Sequence, residues 1–277
     1  MDLSFLIPTK IESEDRLRNV CTVLSYLATN FVDAQILVKE VDDDKNVQKF
    51  VFPLIYKKFG GSIPSNIHYM YEKPTSEYFH KTKILNDLLL ESNTEVVANY
   101  DTDVILPIGC IQAAYELISR GESDAVYPYG VGPYQKAVAY SAEIFDEYFN
   151  SDMSDIDLAS ILDCYITKST STVGWCQFIR RRNYIDSFMM NENFYAWGPE
   201  DCELHYRLLA LGNKVDRIQE YIYHLEHSRT QNSWFNNPKW QENTKLWEWI
   251  RTKDKKQLST YYKNQEYVKG RLLNAGI

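Results

Sequence analysis

The sequence predicts an α/β protein: a mostly parallel central sheet flanked by helices, in one domain that ends in a helical tail. Three observations carry this. Through the first 108 residues, short apolar runs of strand length alternate with amphipathic helical segments, the pattern of parallel strands joined by crossover helices. The fourth apolar run leads directly into two carboxylates, Asp101 and Asp103, and sheets of this class bind ligands at the carboxyl ends of their strands. The chain has 277 residues, enough to bury a core without disulfide or metal staples.

In order, Leu3 to Pro8 reads as a buried strand ended by its proline. Arg16 to Ala28 carries Leu17, Val20, Leu24 and Leu27 at helical spacing, and Ala34 to Val38 is the second strand. An acidic turn, Asp42 to Asp44, precedes a helix from Val47 to Phe59, broken at Pro53 and stopped by Gly60-Gly61. Ile67 to Met70 is the third strand, Lys81 to Glu91 a helix with Ile84, Leu85, Leu88 and Leu89 inward, and Val96 to Tyr100 the fourth strand. Beyond Ile108 the pattern changes: a helix over Ile111 to Arg120 leads to Ala125-Val126-Tyr127-Pro128, Tyr140 to Phe149 reads as a helix, and Ser151 to Asp157 is a polar, acidic loop. Thr172 to Ile179 is strand-like, and Asp201 to Leu211 is a helix stopped by Gly212. The tail from Trp234 carries Trp240, Trp247 and Trp249, then a basic stretch.

Composition narrows the function classes. Apolar residues make up 44% and charged residues 25%, which excludes a disordered or fibrous chain. The net charge of −8 argues against a general nucleic-acid binder, whose affinity rests on Lys and Arg. Seven basic and two acidic residues lie between Arg251 and Arg271, a local +5. The 21 Tyr and 6 Trp suit sugar or nucleotide surfaces and equally suit an aromatic core. The five cysteines are scattered and odd in number, which reads as reduced thiols in a cytosolic protein. The opening residues lack a basic signal-peptide region, and no apolar run approaches ~20 residues.

Three constellations could carry chemistry. Asp-x-Asp occurs at Asp42, Asp101 and Asp155, and only the middle copy follows an apolar strand directly. There two carboxylates can hold a divalent cation beside a diphosphate; a solvated turn is the alternative. His224 and His227 lie at i and i+3, on opposite faces of a straight strand but able to converge on a turn. Imidazoles joined to a carboxylate favour a transition metal, manganese fitting best beside a diphosphate. In Trp197-Gly198-Pro199-Glu200-Asp201 the acidic pair either caps the helix it opens or supplies a base to a sugar hydroxyl; the residues alone favour the cap.

Taken together, strand-Ile7-Pro8, strand-Asp101-Thr102-Asp103, Gly174-Trp175, Trp197-Gly198-Pro199-Glu200-Asp201 and His224-x-x-His227-Ser228-Arg229 resemble the GT-A-fold glycosyltransferases, most closely the β-1,4-galactosyltransferase and N-acetylgalactosaminyltransferase group. That group carries Trp-Gly-Gly-Glu-Asp and Met-x-x-His-Ser-Arg at similar spacing. The resemblance spans Leu3 to Arg229 and is strongest after Thr172. It implies a glycosyltransferase domain over 1–233, with a nucleotide-binding half (1–108) and an acceptor and catalytic half (109–233), and a helical extension over 234–277. It implies Asp103, His224 and His227 as metal ligands, His224 standing where the family has methionine. Asp201 would be the general base and Glu200 would orient sugar hydroxyls. Trp197 would stack on sugars, Pro8, Thr9 and Arg16 would hold uridine and phosphate, Lys81 would contact the diphosphate, and Asp101 and Gly174 would bind the donor side.

The implied reaction is inverting, Mn-dependent transfer (Mg also fitting) of galactose or N-acetylgalactosamine from a UDP-sugar to a glycan or lipid-linked glycan hydroxyl. Three departures bear on this. Pro199 replaces the second glycine of the family motif, which implies a stiffer loop. The family's paired cysteines have no match, which favours a cytoplasmic, bacterial enzyme of surface polysaccharide synthesis. Thr172 stands where galactose-specific members have tyrosine, leaving room for an N-acetyl group. The basic tail suits weak peripheral contact with the inner membrane face; a solvated helix is the alternative. Two rivals stand beside the transferase: a haloacid-dehalogenase-like phosphatase, disfavoured by Ile105 two residues past Asp103, and a sugar-binding scaffold that keeps the fold without turnover.

Overall fold

The structure is a computed structural model that describes residues 1–162, 164–166, 173–230, 232 and 236–274. In chain order the strands are β1 (Leu3–Thr9), β2 (Gln35–Val41), β3 (Ile67–Glu72), β4 (Val96–Tyr100), β5 (Val104–Ile105), β6 (Ala125–Tyr127), β7 (Gln135–Val138), β8 (Cys164–Ile166), β9 (Cys176–Arg180), β10 (Val215–Arg217) and β11 (Ile222–Leu225). The α-helices are α1 (Glu14–Asn30), α2 (Phe52–Lys58), α3 (Lys81–Glu91), α4 (Ile108–Ser119), α5 (Ala142–Asn150), α6 (Asp155–Ile161), α7 (Arg181–Asp186), α8 (Glu200–Leu211), α9 (Trp240–Ile250), α10 (Lys255–Lys263) and α11 (Glu266–Asn274).

Seven strands form the central sheet in the order β10-β6-β9-β4-β1-β2-β3. All run parallel except β9, which pairs antiparallel with both β4 and β6. Strands β1 and β4 are buried at every position, as expected of central strands covered on both faces. One core lies between the sheet and α1, α4 and α5, with Phe5, Leu24, Tyr100 and Phe178 among its members; a second packs α3 and α8 on the other face through Leu6, Leu85, Leu88 and Leu204. No described helix is long and apolar enough to cross a membrane.

Several expectations need adjusting. Pro8 does not end β1. The β1–β4 pairing stops at Leu6 opposite Asn99, so a proline two residues on leaves no donor missing from that ladder. At Pro53 the helix is not simply broken; a π-helical segment, Val47–Val51, runs into α2 with the proline in its first turn, where it needs no N–H partner. The expected loop at Ser151 to Asp157 contains the start of α6, opened by a reciprocal capping box between Ser154 and Asp157. The Asp155 and Asp42 copies of Asp-x-Asp hold backbone and side-chain groups of the fold. Asp155 accepts from the Ile108 N–H, and Asp42 accepts from the Ile11 N–H and the Asn46 amide.

A second, four-stranded sheet of order β5-β11-β7-β8 had no counterpart in the sequence reading. Its strands are two to four residues long, too short to show a period. It nevertheless brings the sequence-distant segments 101–105 and 222–227 together, because β5 pairs antiparallel with β11 and places Val104 opposite His224.

The C-terminal helices share a third core with α8, built from Phe188, Phe194, Ile250, Leu258, Tyr262 and Val268. A buried ion pair underlies it. Arg207 and Glu203 have fully buried side chains and meet at 2.7 Å. The Arg207 guanidinium also donates to the Ser187 and Met189 carbonyls, and the Tyr262 hydroxyl donates to Glu203. Removing one partner of such a pair leaves an uncompensated buried charge. Glu203→Ala should therefore lower unfolding free energy by about 3–5 kcal/mol, read from urea denaturation. A loss below ~1 kcal/mol, as for an exposed pair, would show that Arg207 regains water in the variant. In the basic tail, Arg271 is committed to Asp87 and Glu192, which reduces the charge available to a surface.

Candidate active site

A cleft of about 300 Å3 opens at the carboxyl ends of β1 and β4. Of the residues singled out in the sequence, Pro8, Arg16, Lys81, Asp101, Asp103, Gly174, Trp197, Glu200, Asp201, His224 and His227 all line it. Thr9 does not; it is fully buried and its hydroxyl donates to the Ile7 carbonyl. Thr172, on which the choice of donor sugar turned, and Trp234 lie outside the described residues.

Topology explains the convergence. Strand β4 delivers Asp101 and Asp103 from the middle of the central sheet. The antiparallel β9 starts beside that end, and the Asp101 N–H donates to the Trp175 carbonyl at 2.9 Å. The small sheet closes the other side. The Leu225 N–H donates to the Asp103 carbonyl at 2.7 Å, so β11 holds His224 at the Asp103 backbone, and the chain bends after β11 to return His227 to the same point. The i, i+3 pair converges because the strand ends between its members.

Asp103, His224 and His227 present one ligand atom each, all within 4.8 Å of one another. Asp103 Oδ2 lies 3.0 Å from His227 Nε2 and 3.9 Å from His224 Nε2. Donors bound to one ion at ~2.1 Å sit about 3–4 Å apart. The outer ring nitrogens are engaged: His224 Nδ1 with Glu226 Oε1 at 3.0 Å, and His227 Nδ1 with the Ser228 carbonyl at 2.8 Å. An Nδ1–H donated outward leaves each Nε2 lone pair facing inward, the tautomer a metal requires. Asp103 Oδ1 is buried with no hydrogen-bond partner among the described residues. Burial disfavours the Asp103 carboxylate, but His224, His227 and Arg16 hold its pKa well below the ordinary value. Ligand set, tautomers and the spare carboxylate oxygen all fit a divalent transition metal.

A second group lines the same cleft. Lys81 Nζ lies 2.9 Å from Asp101, 3.7 Å from Asp201 and 3.9 Å from Glu200. Burial works against its charge, yet the surrounding carboxylates, Asp101 first, hold its pKa well above the lysine norm. Burial pushes Asp101 up to about 6, with Lys81 opposing and Asp103 and Asp201 adding to the rise. Glu200 is pushed up to about 8 by burial and then by the neighbouring Asp201 charge, and its Oε2 is buried without a partner among the described residues. Asp201 turns from the helix end towards Gln177, whose Nε2 donates to Oδ1 at 3.3 Å. Gln177 is held in turn by Asn99 at 3.1 Å.

The raised Glu200 carboxyl has a consequence for stability. The folded chain keeps this proton up to about pH 8, whereas an ordinary Glu releases it near 4.5. That contribution is fully present below about 4.5 and is lost as pH rises through about 8. Glu200→Gln removes it, so urea midpoints at about pH 5 and 8 should differ less in the variant than in the parent. Equal differences would mean that Glu200 is ionised throughout.

Sequence reasoning missed Lys10, Glu12 and Asn232, which also line the cleft, as do Trp175 and Arg229, quoted in the motifs but given no role. Glu12 accepts from Thr230 and Asn232, and Asp15 accepts from the Ser228 N–H at 2.6 Å. These two carboxylates tie the start of α1 to the segment after β11. Their only sequence signal was an acidic cluster before a helix, which reads as capping. Trp175 stacks on His224 with ring centroids 5.4 Å apart and takes a positive φ of 66°.

No protein-family model and no curated protein matches the sequence. Solved structures do match. Staphylococcus aureus TarS residues 1–349 aligns with TM-score 0.52 and 14% identity over 81% of this chain and 60% of that one. The same protein in complex with UDP-GlcNAc aligns with TM-score 0.54 and 13% identity over 84% and 60%. The catalytic domain of Drosophila β1,4-galactosyltransferase 7, complexed with xylobiose, gives TM-score 0.44 and 15% identity over 84% and 76%. The chain thus spans about three fifths of the TarS 1–349 length. With its single-domain α/β architecture, this places it in the GT-A glycosyltransferase fold.

Proposed function

We propose that the protein is an inverting, metal-dependent glycosyltransferase that moves a sugar from a UDP-sugar to a hydroxyl of a glycan acceptor. The observation that carries this reading is the meeting of two groups in one cleft: the Asp103–His224–His227 cluster and the Lys81–Asp101–Glu200–Asp201 group. A two-histidine carboxylate set suits manganese, and the GT-A fold supports a nucleotide-sugar substrate. Resemblance in the motifs favours galactose or N-acetylgalactosamine, while TarS carries UDP-GlcNAc in its complex, so all of these sugars are candidates. The free thiols of Cys21, Cys110, Cys176 and Cys202 support a reducing compartment, and the lack of a match to the family's cysteine pair favours a bacterial enzyme of surface polysaccharide synthesis.

In this mechanism the metal, when bound, supplies charge neutralisation for a diphosphate. Arg16 and Lys81 add fixed positive charge at the cleft wall. Lys81 also holds Asp101 and Asp201 by their carboxylates. Asp201, oriented by Gln177, takes the proton of the acceptor hydroxyl as that oxygen attacks the anomeric carbon. Glu200, whose carboxyl pKa burial and the Asp201 charge raise, orients a sugar hydroxyl. Attack from the face opposite the leaving UDP turns an α-linked donor into a β-linked product.

The test is a screen of UDP-, GDP- and other nucleotide sugars for hydrolysis in the absence of acceptor, with Mn2+, with Mg2+ and with EDTA. UDP-hexoses or UDP-N-acetylhexosamines should be hydrolysed with Mn2+ and not with EDTA. Binding of free glycans with no nucleotide-sugar binding or turnover would replace this reading with that of a sugar-binding scaffold.

A further inference from the structure

We infer that the loop carrying Trp197 is fixed before any substrate arrives, pinned by two asparagines, Asn237 and Asn243, from α9 and the turn before it. This rests on the transferase reading, in which Trp197 offers its face to a sugar. Through α9 the C-terminal segment becomes part of the machinery of the cleft.

Hydrogen bonding over Tyr195 to Trp197 can be followed group by group. The Tyr195 N–H donates to Asn243 Oδ1 at 3.3 Å. The Ala196 N–H donates to the Phe79 carbonyl at 3.1 Å, and the Trp197 N–H to the Asn232 carbonyl at 3.2 Å. Each of the two carbonyls nearest α9 accepts twice. The Tyr195 carbonyl takes Asn243 Nδ2 at 2.8 Å and Asn237 Nδ2 at 3.0 Å. The Trp197 carbonyl takes Asn237 Nδ2 at 2.5 Å and Asn243 Nδ2 at 3.3 Å. A carboxamide NH2 has two hydrogens and a carbonyl two lone pairs, so the two asparagines and two carbonyls saturate one another.

Four further features agree. Both asparagines are buried, at 1% and 3% exposure, so water does not compete for them. Ala196 holds φ at +53°, a conformation that persists only where the surroundings over-determine it. Gly198 packs so closely on Asn243 that an added Cβ would lie 2.7 Å from Nδ2. The Trp197 indole stacks on Trp240 of α9 at 4.9 Å. A segment held in this way does not need substrate to order it, and Glu200 and Asp201 follow it directly in the chain.

Amide hydrogen exchange tests this without ligand and without turnover. In the ligand-free protein the Ala196 and Trp197 amides should be protected, and UDP with Mn2+ should leave that protection unchanged. Asn243→Ala should speed their exchange by about tenfold or more, three hydrogen bonds to the loop being lost, while β1 and β4 amides stay as in the parent. UDP affinity with Mn2+ should hold in that variant and kcat should fall by about tenfold, a split that general destabilisation would not produce. Should Asn243→Ala also expose β1 and β4, Asn237→Ala and the parent carry the test. Rapid exchange in the free parent with protection only on adding UDP and Mn2+ overturns the inference. So does unchanged exchange in folded variants. Failure of the transferase reading would show elsewhere, as absence of nucleotide-sugar binding with the loop amides still protected.

Discussion

Asp103→Ala is expected to abolish metal-dependent UDP binding, with no heat released when UDP is titrated into the variant in the presence of Mn2+. The reason is geometric. Asp103 is the carboxylate of the three-residue cluster, its Oδ2 facing both Nε2 atoms and its Oδ1 without a partner among the described residues. Without it, two neutral imidazoles remain, a set that holds Mn weakly. His227→Ala should behave alike, whereas His224→Met should keep some binding. The outer partner gives a graded control. Glu226 fixes the His224 ring through Nδ1, so Glu226→Gln should weaken metal affinity by about 10–100-fold rather than abolish it. UDP binding of equal strength with EDTA present would sink the metal assignment outright. Loss of binding in Asp103→Ala together with loss of folding would point to the electrostatic role of the cluster in the apo fold. Circular dichroism on the same sample separates the two.

How far this site was legible in the sequence depends on the length of the element that carries each residue. Helix α3 and strand β4 match the sequence reading at both ends, because each is a self-contained apolar pattern bounded by polar residues. Asp101 and Asp103 stood out because the strand before them was legible. The convergence of His224 and His227 was not, because it depends on β5 and β11, which pair over two residues. A two-residue ladder leaves no periodicity. Glu12, Asp15 and Gln177 were missed for another reason: their roles lie in contacts to residues as distant as 220 positions. Nothing in the local sequence distinguishes a carboxylate that caps its own helix from one that ties down a remote loop. Asn237 and Asn243 are the sharpest case. In sequence they are ordinary polar residues at the start of a Trp-rich tail; in the fold they are buried against the backbone of the loop that carries Trp197.

The same ambiguity surrounds Asp201, and there the test is catalytic. The residue types alone favoured a helix cap. In the fold, α8 begins after Pro199, which offers no side-chain cap, and the Asp201 carboxylate is shared between Gln177 at 3.3 Å and Lys81 at 3.7 Å. Both contacts aim it at the cleft. Asp201→Asn keeps shape and capping ability and removes basicity. If Asp201 takes the acceptor proton, turnover should fall by ~10² or more, with donor affinity little changed, because the proton moves only in the transition state. A capping residue predicts the reverse: near-normal turnover, and a stability change of order 1 kcal/mol at most. Measuring kcat, donor affinity and urea midpoint on one preparation therefore assigns the role. Gln177→Ala sharpens it, for the bond that orients Asp201 is lost while the carboxylate remains. A smaller fall in kcat than in Asp201→Asn, at unchanged donor affinity, is the signature of a positioning residue behind a base. A fall in donor affinity instead would move Asp201 to the nucleotide side of the cleft, where Lys81 already links it to Asp101.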